Sequence, residues 1–115
     1  MPGKIAIAVG LFLLPLFLLT LLASAQGAPA PIGNWATKPA SETLFVSAGG
    51  CRFTGTNGTT TIVIEGRCSW DPSSNGGILT IMNIHFYQPA PVYYNIVWVN
   101  AKQIKVEGDL FYKQD

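Results

Sequence analysis

Cys51–Cys68, CRFTGTNGTTTIVIEGRC, holds both cysteines of the chain and its clearest hairpin signal. Asn57-Gly58 is a dipeptide that accepts positive φ at the two central positions of a tight turn, and alternating β-formers flank it. A two-residue turn there pairs Thr56 with Thr59, Thr54 with Thr61, Phe53 with Ile62 and Cys51 with Ile64. Cys51, Phe53, Ile62 and Ile64 then share one face, the expected core face, and Thr54, Thr61 and Val63 take the other. The same tip carries Asn57-Gly58-Thr59, which matches the N-glycosylation acceptor pattern in hosts that use it.

A bond between Cys51 and Cys68 sets a geometric condition. A straight strand would carry Cys68 about 13 Å past the partner of Cys51, and a tight turn at Glu65-Gly66 would leave the cysteines about 9–10 Å apart. A disulfide needs Cα atoms within about 7 Å, so the bond requires a bend or bulge. Gly49, Gly50 and Gly66 are the residues able to provide it.

Upstream, residues 1–25 read as a secretory signal. Lys4 supplies the charge, Ile5 to Leu22 is an uncharged apolar run expected to be helical, and Ala23-Ser24-Ala25 is a small-x-small cleavage site. Export of the remainder implies a secreted or periplasmic location with no stable membrane insertion after cleavage. With Lys4 removed, the six remaining basic residues match the six acidic ones. A neutral chain lacks the electrostatic footprint of a nucleic-acid binder. About 90 residues bury little more than 60% of the surface of the unfolded chain, so a cross-link is expected. Closing a loop of this length is worth roughly 3 kcal/mol.

Residues 26–41, QGAPAPIGNWATKPAS, contain three prolines and no apolar period, which predicts a semi-extended tether with Trp35 packing back onto the domain. Residues 42–115 form the expected single β-domain. Its strand candidates are Thr43–Ser47, the two arms of the hairpin, Arg67–Asp71, Ile78–Ile84, Val92–Val99 and Gln103–Tyr112, with loops over Pro72–Gly77 and His85–Pro91. The last candidate alternates, with Ile104, Val106, Leu110 and Tyr112 inward. An even-length turn at Asn100–Gln103 pairs Val99 with Ile104 and leaves Tyr94, Ile96 and Trp98 on the solvent face; an odd-length turn would bury them. The even register is the expectation. The fold class is all-β, a small antiparallel meander of six or seven short strands, closed as a barrel or folded as a two-layer sandwich, with one disulfide.

Catalytic chemistry finds little support. His85 is the sole histidine, and Ser69, Ser73 or Ser74 with Asp71 would complete a triad only on paper, without a G-x-S-x-G elbow. Glu107 and Asp109 are better explained as solvated strand positions than as a glycosidase pair. One histidine and a bonded cysteine pair leave too few metal ligands, and no cofactor motif is present. No catalytic or metal residue is assigned, and the chain is not expected to be an enzyme.

Recognition remains. Most aromatic side chains of a small β-domain fill its core. The functional expectation is that Tyr94 and Trp98, with Lys105 close by, form an exposed platform, and that Phe86 and Tyr87 project from a proline-stiffened loop. Small periplasmic inhibitor domains share this plan of an exported, disulfide-stapled β-domain at the level of architecture alone, and the chain carries no motif specific to them. The sequence thus points to an exported, non-catalytic module for a protein or glycan partner. The alternative is a structural or accessory envelope protein without a discrete ligand site.

Overall fold

The computed structural model describes residues 27–115, so the expected signal segment lies outside the described residues. In chain order the strands are β1 (Gly33–Ala36), β2 (Glu42–Ser47), β3 (Gly50–Asn57), β4 (Thr60–Gly66) and β5 (Cys68–Ser73). They continue with β6 (Gly76–Asn83), β7 (Ala90–Asn100), β8 (Gln103–Val106) and β9 (Asp109–Gln114). All belong to one antiparallel sheet in the order β4-β3-β2-β1-β9-β8-β7-β6-β5. Every neighbour in that order except β1 and β9 is also a neighbour in the chain, the mark of a meander.

The sheet curls nearly closed. The first strand pairs with the last, Ala36 opposite Tyr112 and Asn34 opposite Gln114. The two strands at the ends of the order, β4 and β5, are separated only by Arg67. The Met82 N–H donates to the Arg67 carbonyl at 2.8 Å, and the Ile84 N–H donates to Glu65 at 2.9 Å. The β5/β6 ladder therefore runs on into β4. Strands β4 and β5 are two halves of one kinked run, paired with β3 along its first half and with β6 along its second.

That kink answers the condition set by the cysteines. Cys51 lies opposite Gly66, and the chain bends at Gly66-Arg67, bringing the Cys51 and Cys68 Cα atoms to 5.8 Å in a formed disulfide. A Cβ at Gly66 would collide with the Met82 carbonyl oxygen, so only glycine allows β6 to approach here.

The central hairpin differs from expectation by one step. Asn57 pairs with Thr60, so the turn residues are Gly58 and Thr59, with Phe53 opposite Ile64 and Thr54 opposite Val63. Gly58 alone takes positive φ (66°), as in a turn with glycine at its first central position. The step moves each pairing by two residues, so the faces are unchanged. Cys51 and Ile64 are buried and Phe53 packs against the core, but Ile62 pairs with Gly55 near the hairpin tip and stays exposed.

The tether expected over 26–41 is corrected: β1 lies within it, hydrogen-bonded to β2 and β9. Trp35, 1% exposed, is the reason this proline-rich stretch joins the sheet, because its indole fills the core opposite Leu44. The strand count is also corrected, to nine among the described residues. Besides β1, the expected strand Gln103–Tyr112 is a hairpin, turning at Glu107-Gly108 with φ of 51° and 88°. Both central residues at positive φ make a turn whose twist suits a two-residue hairpin. The turn reverses the parity of β9 relative to β8, so Phe111 (0% exposed) points inward where Leu110 and Tyr112 were expected.

Candidate functional site

The second expected hairpin decides the fate of the aromatic platform. Its turn is even, with Asn100 opposite Gln103, but Val99 is an extra residue and Trp98 pairs with Ile104. This bulge shifts the register by one and swaps the faces of β7. Tyr94, Ile96 and Trp98 turn inward, while Tyr93, Asn95 and Val97 turn outward. Burial favours this choice, since the first set offers much more apolar surface than the second.

Tyr94 is therefore 8% exposed, its ring 5.0 Å from that of Phe53. Burial, helped by the negative charges of Glu107 and Glu42, pushes its hydroxyl pKa up to about 12. Trp98 packs edge-on against Trp35 with ring centroids 5.7 Å apart, and its Nε1–H donates to the Pro29 carbonyl at 2.9 Å. Lys105 lies on the outer face. Tyr94, Trp98 and Lys105 do not meet on one surface, and the platform expected from them is overturned.

Trp98 is one of three indoles with a common task. Trp70 Nε1–H donates to the Ala28 carbonyl and Trp35 Nε1–H to that of Pro31, each at 2.9 Å. With the Ala28 N–H donating to Ser73, these bonds hold residues 28–31 as a strap across one end of the barrel. The tryptophans of the chain are thus structural anchors.

Phe86 and Tyr87 fare differently. The chain leaves β6 after Asn83 and rejoins β7 at Ala90, and between them both rings face solvent, Tyr87 being 100% exposed. The base of this loop is fixed by Asn83, a polar side chain only 1% exposed. Its Oδ1 accepts the N–H groups of Glu65 and His85, each at 3.2 Å, and so ties the loop to β4. On the outside, His85 Nε2 lies 3.1 Å from Glu65 Oε1, and Arg52 Nε lies 4.0 Å from Glu65 Oε2. Outward-facing Met82, Ile84 and Tyr93 extend the exposed apolar surface beside the loop.

Next to this chain of charges an open cleft of about 660 Å³ runs along the barrel seam. Phe45, Arg52, Glu65, Arg67 and Ile84 line it, with Cys51 at its floor. Sequence reasoning missed this cleft because the expected register set Arg52 opposite Val63; the observed one sets Arg52 opposite Glu65. A second, smaller cleft holds Glu42 and Asp109. Burial first, then the charge and hydrogen bond of Asp109, raise the Glu42 pKa above the ordinary carboxylate value.

The remaining candidates separate. The Glu107 carboxylate accepts the Asn95 N–H and ties its turn to β7, while Asp109 has Glu42 as its hydrogen-bonded carboxyl partner. His85 has Glu65 as its carboxylate partner rather than Asp71. Among the described residues no group of three or more His, Cys, Asp or Glu side chains is placed to hold a metal ion, and no helix is long and apolar enough to cross a membrane. Comparison of the chain with protein-family models, with curated proteins and with solved structures finds no match in any of the three.

Proposed function

We infer that the protein is an exported, non-catalytic binding module whose recognition element is the loop from Ile84 to Pro89. The observation that carries this reading is the pairing of two exposed aromatic rings, Phe86 and Tyr87, with a loop base held by the buried Asn83 clasp. Aromatic rings on a fixed support contact a partner with little loss of side-chain freedom. The seam cleft, with Arg52, Glu65 and Arg67 beside Phe45 and Ile84, adds charged groups next to that apolar tip. A protein or glycan partner suits this mixture, since both are bound by aromatic faces ringed with polar groups. The disulfide supports export, because such bonds persist in oxidising compartments.

The inward turn of Tyr94 and Trp98 favours a second reading, an accessory envelope protein without a discrete ligand site. Affinity capture from the source envelope fraction, with glycan-array binding in parallel, separates the two. Loss of a central aromatic contact costs about 2 kcal/mol, so Phe86→Ser/Tyr87→Ser is expected to weaken a bound partner by at least tenfold. A partner set and glycan profile identical for wild type and double variant would favour the second reading.

A further inference from the structure

The kinked run β4–β5 leaves part of one edge open. Glu65 and Arg67 accept hydrogen bonds from Ile84 and Met82, so odd-numbered residues of the run turn their peptide groups away from β3 and toward β6. Two residues earlier, Val63 and Thr61 turn theirs the same way. By then the opposite chain has left as the loop after Ile84, and among the described residues no backbone group pairs with that edge. Natural sheets guard such an edge with charge, proline, a bulge or a covering segment. Thr59–Ile64 reads TTTIVI, with no charge and no proline, and Ile62 stands 54% exposed on it.

We propose that this edge joins two copies of the chain in an antiparallel, two-fold strand pair centred on Ile62. Its donors and acceptors are self-complementary: Thr61 of one copy meets Val63 of the other, and each such pair exchanges both its hydrogen bonds. The two Ile62 side chains then lie opposite each other and cover the apolar surface each exposes alone. No like charges meet along Thr59–Ile64, and the matched basic and acidic residues of 27–115 add no net repulsion. A ladder this short buries much less than the roughly 1,200 Å² of a stable interface, so the dimer is weak and forms with rising concentration.

Sedimentation velocity from about 5 µM to about 1 mM, spanning weak affinities, tests the pairing on the chain lacking residues 1–25. Wild type is expected to pass from monomer to dimer, with hydrogen exchange at the Thr61 and Val63 amides slowed at least tenfold at the upper end. Val63→Pro removes an outward N–H without touching the β3 ladder, and Ile62→Lys sets like charges face to face; each is expected to stay monomeric with a wild-type circular dichroism spectrum. Should Val63→Pro fail to fold, Ile62→Lys and the amide measurement decide. Wild type monomeric throughout would overturn the proposal and leave the edge for an extended segment of another protein. A dimer that persists in folded Ile62→Lys, or unprotected Thr61 and Val63 amides in the dimer, would overturn it too.

Discussion

At the scale of single residues, Asn83 and Tyr94 show how burial gives a polar group a definite task. Asn83 Oδ1 satisfies two backbone donors at the place where the sheet closes on itself. Asn83→Ala leaves both without their acceptor and is expected to lower the unfolding free energy by about 1–3 kcal/mol, read by urea denaturation. Tyr94 stays protonated to higher pH in the folded chain, its hydroxyl pKa pushed up to about 12, against about 10 in an unfolded chain. The neutral form is the one the fold accepts. Its stabilising share is therefore complete below the unfolded value and is lost as pH climbs from there through the folded value. Stability measured across this window is expected to fall less steeply in Tyr94→Phe than in wild type. Gly66 belongs to the same scale. The carbonyl of Met82 occupies the space a methyl group would need, so Gly66→Ala is expected to cost at least 1–3 kcal/mol, again measured in urea.

At the scale of elements, the bulge at Val99 sets which side of β7 meets the core. Deleting Val99 removes only the extra residue, so Trp98 stays opposite Ile104 and Tyr94, Ile96 and Trp98 stay inward. The expected outcome is that the deletion variant keeps the dispersed proton NMR spectrum of a folded chain, whereas an alanine inserted after Val97 shifts Tyr94 and Ile96 to the outer face and abolishes it. This element also marks the boundary of what the residues disclosed on their own. The alternation around Gly58, the cysteine pairing and the need for a bend near Gly66 were legible because short-range turn chemistry and bond geometry govern them. The exposed Phe86 and Tyr87 were legible because two prolines broke the strand pattern around them. The bulge was not, since nothing local to Val99 announces it and it arises from the gain in burying Tyr94, Ile96 and Trp98 together. The same is true of β1, whose prolines and glycines argue for a tether until Trp35 finds a place opposite Leu44. The turn at Glu107-Gly108 was concealed by an alternation that continued in name through Leu110 and Tyr112, although its glycine was the available clue. The seam cleft depended on a register two residues away from the expected one.

At the scale of the whole molecule, one covalent cross-link and one strap compensate for a small core. The disulfide joins β3 to the kinked run where β4 gives way to β5. Replacing both cysteines by alanine is expected to remove about 3 kcal/mol of stability, or to prevent folding at physiological temperature, as read by thermal denaturation with and without reductant. The pairing of β1 with β9 has a further consequence for how such a chain comes to be folded. A polypeptide delivered N-terminus first presents β1 early, yet one of its two neighbours arrives only with the final residues. Until then β1 has only β2 beside it and the enclosure lacks Phe111. The ring can close only once that last partner is present, and a chain cut before Asp109 is expected to show no cooperative transition in urea.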